Sequence, residues 1–251
     1  MDKMFRGRLI TYSQNKEDLI LWGYFHALEG PGFYIDIGAN EPIEDSVTKF
    51  YNVRGWRGIN VEPQVSCYEK LKKDRPRDIN IRKGISDKEG VAEITSFANT
   101  GISTFNKVVA AGYGETAKGA IGRIKTTTLD SLFKKYVKKQ PVHFLKIDVE
   151  GFEEKVIKGN PWKINRPWVI CIEQTCEPEA WSKILPKNDY ILHIFDGLNG
   201  YYVAKEHADL IANYMVFSNS ESIRFNDALT IRRVLPIARA MNGLSRLTKH
   251  F

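Results

Sequence analysis

Gly32-Phe33-Tyr34-Ile35-Asp36-Ile37-Gly38-Ala39-Asn40-Glu41 is a short apolar run that closes on an acid, a glycine and a small polar turn. Pro31 and Gly32 break whatever precedes it, and the run is too short for a free-standing helix, so it reads as a buried strand. Gly38 and Ala39 leave the backbone bare at the strand end. In an open α/β sheet the crevice beyond the carboxyl ends of the strands holds the ligand. The stretch is therefore expected to present a nucleotide-like ligand to a backbone loop.

Outward from it, the pattern alternates. Toward the N-terminus, Leu19, Ile20, Trp22, Tyr24 and Phe25 suit one face of a leading helix, with Ser13 as its N-cap and Gly30-Pro31 as its stop. Gln14 and Asn15 at its polar entrance either belong to that cap or reach toward the ligand. Toward the C-terminus the periodicity predicts a helix over 45–51, a strand over 58–62, a helix over 65–73 and a strand over 79–85. That is the signature of a parallel sheet wound through right-handed crossovers. Residues 91–95 and 121–128 instead alternate like antiparallel edge strands around a Gly/Ser/Thr-rich loop, 99–119. Strands over 142–149 and 168–173, helices over 152–158 and 179–185, and final strands over 190–195 and 200–204 complete the set. The organisation expected is one α/β domain: a leading segment 1–31, a core 32–204 and a basic, partly helical extension 205–251.

Composition sets outer limits. Apolar residues make up 43% and charged residues 27%, an ordinary globular balance, and the net charge of +7 favours acidic partners. Three cysteines, Cys67, Cys171 and Cys176, without a C-x-x-C pair argue against a disulfide framework or structural zinc. No apolar leader and no bilayer-spanning run is present, so a cytoplasmic protein is expected. The extension beyond 225 sets Arg232, Arg233, Arg239, Arg246 and Lys249 among apolar residues, which suits either peripheral contact with an anionic membrane surface or a solvated helix.

The glycine pattern after Asp36 is not the G-x-G-x-x-G that cradles a pyrophosphate, so a ligand without phosphates fits better. Glu62 closes the second strand where an acid accepts from both ribose hydroxyls, and Ser86 with Asp87 follows the third, on the adenine side. Acids in such places also cap the next helix. The runs Ser13-Gln14-Asn15-Lys16-Glu17-Asp18, Phe33 through Asn40, Gly55-Trp56-Arg57-Gly58, Glu62-Pro63, Phe144-Leu145-Lys146-Ile147-Asp148-Val149-Glu150-Gly151 and Phe195-Asp196-Gly197-Leu198-Asn199 together resemble the FkbM-type methyltransferase family. The resemblance covers about residues 12–204. It implies an S-adenosylmethionine-dependent O-methyltransferase on a seven-stranded, mostly parallel Rossmann-like sheet, with helices on both faces and here a small antiparallel insertion. It further implies a saccharide hydroxyl as acceptor, in the assembly of bacterial surface polysaccharide. By position, Asp36, Gly38 and Asn40 would hold the methionine end of the cofactor, Glu62 the ribose, and Ser86 and Asp87 the adenine side.

Methyl transfer needs the acceptor oxygen about 3 Å from the methyl carbon and in line with the sulfur. A sugar hydroxyl also needs a base or a divalent metal to take or weaken its proton. Lys146, Asp148 and Glu150 are expected to alternate along one side of a strand running to the carboxyl edge, with Glu173 closing the neighbouring strand. Two mechanisms fit. In one, Asp148 and Glu173, with Glu150, hold Mg2+ or a similar ion. In the other, His193, Lys146 or Asp148 is a general base, Lys146 being better suited to orient a carboxylate as its ion-pair partner. Asp148 and Glu150 as mere helix caps, and His193 as strand packing, are the bland alternatives. Glu150, together with Ser103 and Thr104 in a loop that closes over the site, is expected on the acceptor side. A nucleic-acid acceptor would call for a stacking platform of interleaved aromatic and basic residues, which the chain lacks.

Overall fold

The structure is a computed structural model that describes residues 9–96, 103–104, 120–174, 181–217 and 222–224. After a short strand β1 (Leu9–Thr11), helix α1 runs over Glu17–Phe25, and the opening stretch forms β2 (Phe33–Ile37). Helix α2 (Lys49–Asn52), β3 (Arg57–Val61), α3 (Val65–Asp74), β4 (Ile79–Ile81) and β5 (Gly84–Ile85) follow. Next come β6 (Gly90–Ser96), β7 (Ser103–Thr104), β8 (Ala120–Thr127), α4 (Leu129–Tyr136), β9 (Phe144–Ile147) and α5 (Glu153–Lys158). The core closes with β10 (Val169–Glu173), α6 (Ile184–Lys187), β11 (Tyr190–Phe195) and β12 (Asn199–Ala204). A short α7 (Asp209–Ala212) and β13 (Ser222–Arg224) come after it.

Seven strands form one sheet in the order β11-β12-β10-β9-β2-β3-β4. The pairs β10·β9, β9·β2, β2·β3 and β3·β4 are parallel, whereas β12 runs antiparallel to both β10 and β11. The strand order reverses between β2 and β9, and such a switch point opens a crevice at the carboxyl edge. A second sheet, β5-β8-β6-β7, carries the antiparallel insertion, with β6 antiparallel to β8 and to β7. A parallel β1·β13 pair ties the start of the described chain to its end.

Successive side chains on a strand face opposite ways, and the core divides accordingly. Ile35, Ile37, Leu145, Ile147, Ile170 and Ile172 pack with Leu132 and Phe133 of α4 and Val156 and Ile157 of α5. Tyr34, Phe144, Val169 and Cys171 pack on the other face with Leu21, Tyr24 and Phe25 of α1 and Phe50 and Tyr51 of α2. On that second face the ladder register sets Asn60, Asp36, Lys146, Cys171 and Tyr201 in one row across the sheet. A polar line thus crosses an otherwise aromatic layer, and it is fastened by Arg75. That side chain is 1% exposed and donates to the Asn60 and Thr48 side chains, Ser46 Oγ, the Pro42 carbonyl and, at 3.4 Å, Tyr34 OH.

Several boundaries differ from expectation for identifiable reasons. Ser13 is not the N-cap of α1, which is Lys16 at φ 66°: its hydroxyl donates to the buried Asp18 carboxylate at 2.8 Å and accepts from Asp18 N–H in the first turn at 3.4 Å. The helix expected over 45–51 shrinks to α2 because Asp45 takes φ 50°. The strand expected over 79–85 divides, β4 pairing with β3 and β5 with β8. The strand expected over 142–149 stops at Ile147, since the chain turns beyond it through Glu150 (φ 52°) and Gly151 (φ 87°). Of the helix expected over 179–185, residues 179 and 180 lie outside the described residues, and the observed α6 starts at Ile184. The extension beyond 225, Cys176 and most of the 99–119 loop are also outside them.

Candidate active site

At the carboxyl edge, Gly38 turns the chain at φ 79°, and both Gly38 N–H and Ala39 N–H donate to the Val61 carbonyl. On the other side Asp148 N–H donates to the Ile37 carbonyl at 3.0 Å. The fit is so close that a Cβ on Gly38 would stand 1.8 Å from the Asp148 carbonyl oxygen. The β2 turn is thereby wedged between the ends of β3 and β9. Asn40 follows in the left-handed region, φ 48°, and its N–H donates to Glu62 Oε2 at 2.9 Å.

Glu62 is buried, and its other oxygen accepts from Gln64 N–H, the N-cap residue of α3, at 2.7 Å. Burial still pushes its carboxyl up to about 7 despite these two amides. An acid in that condition gains from further donors, and the vicinal hydroxyls of a ribose are such donors. Asp36 is held by the Thr48 hydroxyl, 2.7 Å from Oδ2, while Oδ1 is buried and has no hydrogen-bond partner among the described residues. A donor-rich ligand at this turn fits both acids.

Lys146 Nζ lies 3.1 Å from Asp148 Oδ2, 3.7 Å from Asp36 Oδ1 and 3.4 Å from the Gly38 carbonyl. Burial opposes its charge, but Asp148 and Asp36 outweigh burial and hold it above the usual lysine range. An ammonium so held pairs carboxylates and does not serve as a base. Because β9 ends at Ile147, Asp148 and Glu150 do not alternate with Lys146 on a strand but lie in the turn beyond it. Neither caps α5. Its N-cap is Phe152 without a side-chain bond, and Glu153 instead reaches back, accepting from Val149 N–H and Gly151 N–H.

Glu173, opposite Asn199 in the β10·β12 ladder, lies within electrostatic reach of Asp148. Burial, then Asp148, Glu150 and Glu153, drive its carboxyl well above the ordinary range. Glu150 is raised to about 7 by burial and by Asp148 and Glu153, with Lys146 opposing.

The remaining candidates are placed elsewhere. His193 is not brought to this cluster: β11 lies three places from β9, and Nδ1 meets Tyr24 OH at 2.9 Å, with edge contacts to Tyr24 and Tyr214. Ser86 donates to Asp87 at 2.9 Å beyond β5, and Asp87 lies 3.7 Å from Lys155 of α5. Ser103 and Thr104 form β7, at the edge of the second sheet.

Among the described residues no group of three or more His, Cys, Asp or Glu could hold a metal ion. With Lys146 on Asp148 Oδ2, the expected ion at Asp148 and Glu173 does not find a fitting set of ligands.

Sequence reasoning assigned no role to Glu17, Asp196 and Asn199. Asn199 Nδ2 bridges Glu17 and Asp196 at 3.4 Å each, and Asp196 also accepts from Tyr201 OH at 2.8 Å. Their signal was present in the runs 13–18 and 195–199, which fold adds to the carboxyl edge beside Glu173.

An open sheet with this strand order, a reversed last strand and a glycine turn at its switch point is the architecture of Rossmann-like methyltransferases. The profile of the methyltransferase FkbM domain matches residues 36–206, and the chain belongs to that family of S-adenosylmethionine-dependent methyltransferases. A crystal structure of methyltransferase FkbM from Methylobacillus flagellatus is similar at 15% identity with a TM-score of 0.44, covering 70% of this chain and 45% of that one. This chain thus spans less than half the length of that protein. Among curated proteins there is no match. Among the described residues no helix is long and apolar enough to cross a membrane.

Proposed function

We propose that the protein is an O-methyltransferase acting on a hydroxyl of a saccharide, with a carboxylate of the Asp148 and Glu173 cluster as general base. The observation that carries this reading is Lys146, which ties Asp148 Oδ2 to the carbonyl of the glycine turn and so sets that carboxylate beside it. Asp36, Gly38 and Asn40 hold the methionine end of S-adenosylmethionine, Glu62 accepts from the ribose hydroxyls, and Ser86 with Asp87 lies on the adenine side. When bound, the cofactor supplies an electrophilic methyl carbon on a sulfonium. The acceptor hydroxyl donates to a carboxylate of this cluster, which takes its proton as the oxygen becomes nucleophilic. A base with a raised pKa suits this, because proton affinity near the working pH favours transfer in both directions. Lys146 keeps Asp148 oriented, and Glu150 stands at the acceptor side. Glycan assembly in bacterial surface polysaccharide, in the cytoplasm or at the membrane's inner face through the basic tail, is the setting this chemistry suits.

Calorimetry with S-adenosylmethionine and S-adenosylhomocysteine tests the donor half. Wild type is expected to bind both, and Asp36→Ala and Glu62→Ala to weaken them; no binding by wild type would overturn the reading. The metal-free general base is tested with a chelator. Methyl transfer that persists in excess chelator supports the general base, and transfer restored only by Mg2+ overturns it.

A further inference from the structure

Thr48 occupies the N-cap position of α2, where a threonine hydroxyl ordinarily accepts from a backbone amide of the first turn. Here it makes no such bond. Its Oγ1 accepts from Arg75 Nη1 and donates to Asp36 Oδ2 at 2.7 Å. A hydroxyl carries one hydrogen and a guanidinium can only donate, so Arg75 dictates that the Thr48 hydrogen points at Asp36. Thr48 and Asp36 are 0% and 1% exposed, which keeps bulk water from replacing either partner. The guanidinium is itself fixed, because it also donates to Asn60 Oδ1 at 3.1 Å, Ser46 Oγ at 2.6 Å and the Pro42 carbonyl at 2.8 Å.

Asp36 stands between Asn60 on β3 and Lys146 on β9 in the ladder. With Oδ2 taken by Thr48, its Oδ1 lies 3.7 Å from Lys146 Nζ. The same ammonium reaches the Gly38 carbonyl at 3.4 Å and Asp148 Oδ2 at 3.1 Å. The direction in which Asp36 faces therefore bears on the glycine turn and on the carboxylate across from it. We propose that Thr48 is a positioning residue of the methyl-transfer site: locked by Arg75, it holds Asp36 with Oδ1 turned toward Lys146 and so sets the donor half of the site. This rests on the donor reading above and adds to it a residue from the connection behind the strand. Ser46 supplies the contrast. It is a buried acceptor of the same guanidinium, but its described hydrogen bonds lead to Arg75 and to the Tyr12 carbonyl and not to Asp36.

The test measures S-adenosylhomocysteine affinity by calorimetry on the full chain, for wild type, Thr48→Val, Thr48→Ser and Ser46→Ala, with urea unfolding to establish that each variant is folded at the temperature used. Thr48→Val is expected to bind about tenfold more weakly, the order of one lost hydrogen bond to a charged group. Thr48→Ser, which keeps the hydroxyl, and Ser46→Ala, which loosens Arg75 alone, should both stay within about twofold of wild type. Should Thr48→Val not fold, Thr48→Ala takes its place under the same criteria. A valine variant that binds like wild type, a serine variant as weak as valine, or Ser46→Ala as weak as Thr48→Val overturns the inference, the last because it would mean general loosening. Absence of binding by wild type overturns the donor reading and this inference with it, whereas wild-type binding that Thr48→Val leaves unchanged overturns the inference alone.

Discussion

Replacing Gly38 by alanine should cost more than its backbone angle alone explains. At φ 79° a Cβ is disfavoured by about 1–2 kcal/mol. The added carbon would also stand 1.8 Å from the Asp148 carbonyl oxygen, a backbone atom that cannot rotate away. Relief is blocked on both sides, because Gly38 and Ala39 bond the Val61 carbonyl at 3.0 and 3.1 Å while Asp148 N–H bonds the Ile37 carbonyl. Overpacking of that kind adds about 1–3 kcal/mol, for a total of about 2–5 kcal/mol. Gly197 supplies the control. It also has a positive φ, 98°, but nothing lies within 4 Å of its virtual Cβ, so Gly197→Ala should cost only the backbone part, about 1–2 kcal/mol. Urea unfolding of wild type and both variants measures the difference, and calorimetry should find S-adenosylhomocysteine binding lost in Gly38→Ala and kept in Gly197→Ala. Equal unfolding free energies for the two variants, within about 0.5 kcal/mol, would refute the wedged turn, since that is the scatter expected of independent sites.

Glu62→Gln should remove a pH dependence of stability. The folded carboxyl sits at about 7 against 4.5 for the free group, so the folded state binds that proton more tightly. Its stabilisation is full below about pH 4.5 and is lost as pH rises through 7, about 3 kcal/mol in all. His143, lowered to about 4 by burial, acts oppositely, losing stability as pH falls from 6.5, but contributes equally to both proteins. Unfolding of wild type minus variant, followed from pH 4 to 8, should therefore slope downward, and a flat difference would count against the buried acid. Arg75→Leu should destabilise by about 3 kcal/mol or more by equilibrium unfolding, because Thr48, Asn60 and Ser46 lose a buried donor together. Lys146→Met removes the cation that lowers Glu150 and pairs Asp148, so the acid limb of the pH–rate profile should move to higher pH; an unmoved limb with reduced rate would mean a role in folding alone.

The fold was legible where side-chain period and backbone need agreed. Phe33–Ile37 and Val169–Glu173 are apolar runs bounded by breakers, and both are strands in a parallel sheet. The site was legible only in part, because its geometry depends on where strands stop. An acid two residues beyond a lysine reads as the same face of a strand, yet β9 ends at Ile147 because the chain beyond it turns through Glu150 and Gly151, both at positive φ. His193 failed for the converse reason: its strand was read well, but β11 is placed at the sheet edge by the β12 hairpin, beyond reach of β9. Arg75 carries no motif at all, and only the converging acceptors from 42–60 reveal why a buried guanidinium is tolerated there. Asp36, Glu62 and Lys146 stand out in the sequence because each ends or nearly ends a strand in its own right. Their partners Thr48, Asn40 and Asp148 come from the connections between strands, and it is these connections that turn three isolated strand-end groups into one site.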